Sequence, residues 1–273
     1  MSRLVRALLL GLRPVIAPRD VPGGGPQPTH SPHPDLDAYY AGSVARRPFV
    51  TRLFDRSAAS YDGIVGSMAL GSGRWYRRKA LERAGIGPGM RVLDVAIGTG
   101  LLAREARRLC DGHGAVIGLD LSYGMLREAR KKVAVPLLRG LAEELPLAPA
   151  SVDAVTMGYA LRHVADLRAT FGEFLRVLRP GGVVLLLELS RPANGTAAYS
   201  FTRFYLRALV PSFAQLLRGR EAATMMRYFW DTIDGCVPPQ AILDALSGCG
   251  FATPARVTPM GPVFSEYLAR KPC

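Results

Sequence analysis

Between Val92 and Ala103 the chain reads Val92-Leu93-Asp94-Val95-Ala96-Ile97-Gly98-Thr99-Gly100-Leu101-Leu102-Ala103. An apolar run that suits a buried strand ends in a glycine-bearing turn and passes directly into a helix-forming sequence. Glycines at such a turn let the backbone approach a ligand with no Cβ in the way. The first turn of the helix offers N–H groups that no helix carbonyl claims. Twenty residues past Gly100, a second apolar run, Ala115-Val116-Ile117-Gly118-Leu119, ends in Asp120. A carboxylate at that place can accept both hydroxyls of a ribose. The turn and the acid together point to a nucleoside ligand at the carboxyl ends of two neighbouring strands.

The stretch Gly98-Thr99-Gly100-Leu101-Leu102-Ala103 also fits the G-x-G-x-x-A template of dinucleotide-binding turns. Two features argue against a dinucleotide. Asp94 stands inside the strand, four residues before Gly98, where it would repel a pyrophosphate but could hold an ammonium group. Further on, Leu178-Arg179-Pro180-Gly181-Gly182 introduces another strand, and the chain closes with two strands joined by a short turn around Pro259-Met260-Gly261. Strands joined so briefly run antiparallel.

To position these residues the chain must alternate strands and helices. Strands are expected at Met90–Ala96, Ala115–Asp120, Pro136–Arg139, Val152–Met157 and Val183–Leu189, the last a near-continuous apolar run suited to burial on both faces. Helices are expected at Leu101–Leu109, Gly124–Lys132 and Leu167–Leu178, the last stopped by the Pro-Gly-Gly that follows. Pro239–Ser247 reads as a helix, and Phe251–Val257 and Phe264–Arg270 as the terminal hairpin. The expected fold is α/β: a doubly wound, mostly parallel, seven-stranded Rossmann-like sheet with a C-terminal antiparallel hairpin and a helical insertion, Pro192–Trp230, before it.

The chain has 273 residues, a net charge of +13 and 49% apolar residues, a globular balance. No segment has the roughly 20 uninterrupted apolar residues that span a bilayer. Of the 35 basic residues 31 are Arg, and no basic block is longer than three, so the charge reads as solvated surface and nucleic acid is not expected. Cysteines at 110, 236, 249 and 273 form no CxxC and have no His at zinc spacing; no metal is expected, and a reducing compartment fits. Residues 1–45 read as a flexible tail or targeting segment and 46–273 as the folded domain. The first residues carry Arg3, Arg6 and Arg13 and no acid, as a mitochondrial transit peptide would, and a Pro/Gly-rich stretch, Pro22–Pro34, follows. A cytoplasmic location is expected, with peripheral membrane contact open, and the mitochondrial matrix if the start is a transit peptide.

Asp94 to Gly100, Asp120, Leu178 to Gly182 and the terminal hairpin resemble the class I S-adenosylmethionine-dependent methyltransferases. Within that class, Phe54-Asp55-Arg56-Ser57-Ala58-Ala59-Ser60-Tyr61-Asp62, Ala142-Glu143-Glu144-Leu145-Pro146-Leu147, Tyr159-Ala160-Leu161-Arg162-His163-Val164-Ala165-Asp166 and Leu187-Glu188-Leu189-Ser190-Arg191-Pro192 are similar to the ubiquinone/menaquinone biosynthesis C-methyltransferases. The resemblance runs from about Phe54 to Pro272. It implies S-adenosyl-L-methionine as cofactor, held by Asp94, Gly98, Thr99, Gly100, Asp120, Leu121, Leu141, Ala142 and Gly158. The chain departs from the family at Ala96 (a glycine), Leu141 (Asn or Asp), Gly158 (Ser) and His163 (Asn). The implied acceptor is a small aromatic molecule, such as a polyprenyl benzoquinol or naphthoquinol. The alternatives are a soluble natural-product acceptor and a catalytically silent, cofactor-binding partner subunit.

Methylating a ring carbon requires charge from a neighbouring deprotonated hydroxyl. A cation near that oxygen favours the phenolate, and Arg162, just past the fourth strand, is the candidate. His163 is the candidate base, acting directly or through water. Phe54 and Tyr61 are candidates for a lid. Thr196–Trp230 holds eight of the 22 aromatic residues, interleaved with Arg203, Arg207, Arg218, Arg220 and Arg227. It could cover an apolar substrate and rest on a membrane, or pack against the sheet.

Overall fold

The computed structural model describes residues 30–68 and 72–273. Seven strands form one sheet in the order β3-β2-β1-β4-β5-β7-β6. The strands are β1 (Arg91–Val95), β2 (Ala115–Asp120), β3 (Leu137–Arg139), β4 (Val152–Gly158), β5 (Leu178–Leu189), β6 (Ala252–Val257) and β7 (Phe264–Arg270). The first five are parallel. The terminal hairpin enters through its second strand: β7 pairs antiparallel with β5, from Val183 opposite Arg270 to Leu189 opposite Phe264, and β6 takes the edge. Burial follows this placement. Every residue of β2 is buried, whereas β6 alternates between half-buried and exposed.

Successive side chains of a strand point to opposite faces, and the sheet therefore has two apolar layers. Leu93, Val155 and Leu186 face α5 (Leu167–Val177) and α9 (Pro239–Gly248), packing with Phe171, Phe174 and Leu246. Val92, Ala154 and Leu185 face α2 (Gly73–Arg83), α3 (Leu101–Leu109) and α4 (Tyr123–Lys132), packing with Leu81, Ala106 and Ala129. From β1 the chain winds outward to β2 and β3, then returns across β1 to β4 and β5. The winding reverses between β1 and β4, which leaves a crevice above their carboxyl ends.

Three expectations need correction. Residues 30–45 are not a free tail, although residues 1–29 lie outside the described part. The carbonyls of His30 and Pro32 accept the N–H groups of Leu167 and Val237, and His33 and Tyr40 are buried. Pairing with the body satisfies this backbone, which composition alone does not show. The Pro180-Gly181-Gly182 stretch lies within β5 and is not a turn ahead of it: Leu178 already pairs with Val152, and the register shifts before Ala154 pairs with Val183. Gly182 is needed there because a Cβ would sit 2.9 Å from the carbonyl oxygen of Arg179 and 3.0 Å from that of Asp153. Finally, the insertion, which could cover a substrate or pack against the sheet, packs chiefly on α1 (Gly42–Met68) and meets the sheet at Leu189 of β5. Its helices α6 (Ala197–Phe204), α7 (Val210–Arg218) and α8 (Arg220–Asp234) build a third core with α1, in which Tyr40 and Leu53 meet Leu206, Met225, Tyr228 and Trp230.

Helix α1 reaches the sheet through Asp55. Its Oδ1 accepts the hydroxyl of Ser122 at 2.6 Å and the N–H of Gly124 at 2.8 Å, at the start of α4. Gly124 has no Cβ to hold the helices apart; one built there would lie 2.7 Å from the carbonyl oxygen of Asp55. Gly124→Ala should force α1 outward and cost about 1–3 kcal/mol, as overpacking does. Denaturant unfolding checks this; a midpoint equal to wild type would show that α1 shifts freely.

Candidate active site

The crevice begins at the turn after β1. Ala96 adopts φ +53° and Gly98 φ +56°, so the chain takes a left-handed step at a residue with a side chain. Gly100, at φ +87°, opens α3; a Cβ there would strike Val133 at 2.7 Å, so this glycine is required for helix packing. The turn is tied to the end of β2 by Asp120, whose Oδ2 accepts the Gly98 N–H and Oδ1 the Ser122 N–H, both at 2.8 Å. Each oxygen keeps a lone pair for a ribose hydroxyl. Burial pushes the Asp120 carboxyl up to about 6, and these backbone donors hold it from going higher.

Asp94 is buried at the centre of the site. Its Oδ1 accepts the Thr156 hydroxyl at 2.7 Å, while Oδ2 has no hydrogen-bond partner. Desolvation raises it to about 7, with the Thr156 bond opposing. A buried carboxylate oxygen without a donor is costly unless a cationic ligand supplies one. Thr99 donates its hydroxyl to Asp62 of α1, which also binds Lys132 Nζ at 2.8 Å.

One cavity of about 1570 Å³ joins these groups, larger than a typical single-ligand pocket and roomy enough for donor and acceptor together. Asp94, Gly98, Thr99, Asp120, Leu121, Leu141, Ala142 and Gly158 all line it; Gly100 does not, and acts by shaping the turn. Phe54, Tyr61, Tyr159 and His163 line it as well. Phe54 meets the His163 ring edge-on at 5.2 Å, and His163 stacks on Tyr228 at 5.5 Å. Neither ring nitrogen of His163 has a partner, and burial, together with Arg162, holds it well below the usual histidine range, hence neutral. Burial pushes Tyr61 up to about 12.

Arg162 is placed differently from the sequence-based expectation. Its guanidinium is 1% exposed, ion-paired with Glu188, bonded to Thr232 at 3.1 Å and seated over the Phe229 ring at 5.1 Å. It lies behind the cavity wall and does not line it. Within a short 3₁₀ turn, Leu161–His163, the two adjacent side chains both touch the Phe229 ring, but of the two only His163 lines the cavity. The Arg162 carbonyl accepts Arg46 Nη2 at 3.0 Å, tying α1 to the same turn. The acids that dock α1, Asp55 and Asp62, were not among the expected site residues, although both fall in the Phe54–Asp62 motif; no local signal distinguishes a docking acid from a surface one.

The sequence model of the ubiE/COQ5 methyltransferase family matches residues 42–253. The chain belongs to this family. It is 33% identical to a demethylmenaquinone methyltransferase of Mycolicibacterium paratuberculosis over 224 residues, covering 82% of this chain and 94% of that protein. It is also 33% identical to a ubiquinone/menaquinone biosynthesis C-methyltransferase of Idiomarina loihiensis, over 63% of this chain and 71% of that one. Among solved structures, phosphoethanolamine N-methyltransferase 2 of Haemonchus contortus in complex with S-adenosyl-L-methionine shares the fold, with TM-score 0.60 and 21% identity over 84% of this chain and 60% of that one. A putative methyltransferase in complex with the Haloferax volcanii Trm112 activator does so at TM-score 0.57 and 22% identity, over 81% and 98%. The protein is an S-adenosylmethionine-dependent methyltransferase, and the cavity fits its cofactor. The unpartnered Asp94 oxygen suits the methionyl ammonium, and Asp120 suits the ribose.

Two outcomes follow. Arg162→Ala strands Glu188 in the core and should cost about 3–5 kcal/mol of stability; a variant that melts like wild type but turns over slowly would return Arg162 to a catalytic role. For Asp94 the folded carboxyl titrates above the unfolded one. Its stabilising contribution is therefore present in acid and lost as pH rises from about 4 through about 7. Unliganded Asp94→Asn should melt above wild type at pH 8 by the equivalent of about 2–4 kcal/mol, and the gap should close toward pH 4. It should bind S-adenosylhomocysteine more weakly. Melting curves at both pH values, with and without the ligand, check both signs.

Proposed function

We propose that this methyltransferase transfers a methyl group to a ring carbon of a polyprenyl benzoquinol or naphthoquinol. The observation that carries the reading is the neutral, unpartnered His163 ring, in contact with Phe54, Tyr228 and Phe229, on the wall of the cavity that Tyr61, Tyr159 and the cofactor cradle also line. Aromatic walls take a flat ring by stacking or edge contact. A neutral imidazole within reach of a hydroxyl can accept its proton and leave the charge on the ring. The relatives' names support a quinone-type acceptor.

The bound cofactor supplies an electrophilic methyl on a sulfonium, a leaving group that needs no acid. The chain's residues do the rest. Asp94 and Asp120 fix the two ends of the donor, the aromatic wall sets the acceptor ring in line with the methyl, and His163 takes the hydroxyl proton. The C–S bond breaks as the ring C–C bond forms. The ring proton would then pass to solvent and His163 would return its proton to the oxygen, so that S-adenosylhomocysteine, the methylated quinol and one proton are released.

Among the described residues no helix is long and apolar enough to cross a membrane. Phe201, Phe204, Leu209 and Leu216 are exposed by 51–80% on consecutive turns of the insertion, beside exposed Arg203 and Arg207. That face supports peripheral contact with an anionic bilayer, where a prenylated quinol resides. A second reading, a smaller and more polar acceptor, is favoured by the polar part of the cavity's lining, His30, Ser31, His33, Asp35 and Arg46.

The experiment is transfer of labelled methyl from the donor to demethylmenaquinol, demethoxy-type benzoquinols and soluble phenols, with quinols presented in anionic vesicles. Quinol methylation is expected, and His163→Phe should lower its rate about 100-fold or more while leaving cofactor affinity unchanged. Transfer only to soluble phenols would favour the second reading. Cofactor binding without transfer to any acceptor would favour a silent subunit.

A further inference from the structure

Arg77 projects from α2 into the same cavity and is 8% exposed. Its helix is held in place from both sides. Neighbouring Tyr76 is buried against Phe264 with ring centroids 5.5 Å apart, and Arg83 is ion-paired with Glu266 of β7. Among the described residues no carboxylate lies within ion-pair distance of Arg77. The acids nearest in electrostatic reach, Glu105 and Asp62, pair with other cations, although Glu105 keeps one oxygen, Oε2, without a hydrogen bond. Glu105 is shared by Arg74 at 3.3 Å, Arg104 at 3.8 Å and Arg108; Asp62 holds Thr99 and Lys132. The buried Nε of Arg77 makes no hydrogen bond. The other cavity arginine close to full burial, Arg46, also has an unbonded Nε, but its terminal nitrogens bond to Ser31, His33 and the Arg162 carbonyl.

A desolvated guanidinium with an unused donor is costly unless an anion completes it. Burial lowers the pKa of Arg77, as expected for a cation left without a partner. The same cavity has the opposite deficit: Asp94, an acid with one unused acceptor oxygen. Two groups of opposite sign, each with an unused polar atom in one cavity, are the negative image of a zwitterion. Arg77 also stands beside Tyr159 and the opening turn of α3, where unclaimed N–H groups favour negative charge.

We propose that Arg77 binds the α-carboxylate at the methionyl end of the donor, while Asp94 binds its α-ammonium. This rests on the donor occupying the cavity as described above. Arg77 thereby acts as a positioning residue. Holding both charged groups of the amino-acid end fixes the sulfonium between them and points the methyl toward the aromatic wall.

The test is calorimetric binding of three ligands: S-adenosylhomocysteine, its decarboxylated analogue, and 5′-methylthioadenosine, which lacks the amino-acid end. Arg77→Met should weaken S-adenosylhomocysteine by roughly tenfold to hundredfold, the worth of a charged hydrogen bond. It should leave the decarboxylated analogue and 5′-methylthioadenosine within about twofold of wild type. Arg77→Lys should fall between, since it keeps the charge without the planar fork. Equal losses on all three ligands, or none on S-adenosylhomocysteine, overturn the assignment. An unchanged affinity for S-adenosylhomocysteine with a raised KM for the quinol places Arg77 at the acceptor. Wild-type protein that binds none of the three refutes the donor reading itself and not only the role of Arg77. Melting curves accompany each variant, and should the Met variant not fold, the Lys variant decides on the same ligands.

Discussion

Three carboxylates hold the ligand-binding turns in one arrangement. Asp120 gathers the N–H groups of Gly98 and Ser122, so that the turns after β1 and β2 share one acid. Asp55 takes the Ser122 hydroxyl and the Gly124 N–H, and Asp62 takes the Thr99 hydroxyl. The last two belong to α1, so the N-terminal helix is fastened to both turns by hydrogen bonds to charged acceptors, stronger than neutral ones. Without that fastening the glycine turn would be a loop with a left-handed alanine in it. With it, the turn is a preformed cradle, and α1 carries Phe54 and Tyr61 to the lining of the same cavity.

Charge is distributed unequally between structure and site. Arg162 and Glu188 satisfy each other in the core, and Thr232 and Phe229 complete the setting. A buried pair of that kind positions the strand end and the 3₁₀ turn, and is strongly destabilising to break. Asp94, Arg77 and His163 lack such completion: each has a buried polar atom with no hydrogen bond. Unsatisfied atoms clustered in one cavity raise the free energy of the unliganded protein, and a ligand that completes them binds with that energy in its favour. The left-handed Ala96 and Tyr159, at φ +53° and +60°, lie on the same cavity wall and add backbone strain to it.

The aromatic insertion has a dual aspect. Inward, Tyr228, Phe229 and Trp230 make a core with α1 that is separate from the two sheet layers and backs His163. Outward, Phe201, Phe204, Leu209 and Leu216 remain uncovered. Backing His163 in the cavity wall and presenting an apolar face are thus properties of one segment.

The sequence by itself determined the alternation of strands and helices, the glycine turn, the acid within the strand before it and the acid that ends the next strand. Each is a short-range matter, since apolar runs, glycine and the chain position of an acid act within a few residues. It also determined the family through the motifs at Phe54–Asp62, Ala142–Leu147 and Tyr159–Asp166. It did not determine which neighbour of a motif residue its side chain would meet. Arg162 and His163 are adjacent in the chain, yet one turn sends the first to Glu188, 26 residues on, and the second to the cavity. Residues 30–45 looked too polar and proline-rich to order, yet their backbone bonds to Leu167 and Val237, far along the chain. Arg77 lies in a short basic run, Arg77-Arg78-Lys79, in which nothing local singles it out. Only the tertiary structure decided these, because burial and the partner of a charge are set by segments that the chain brings together from a distance, and no local pattern records them.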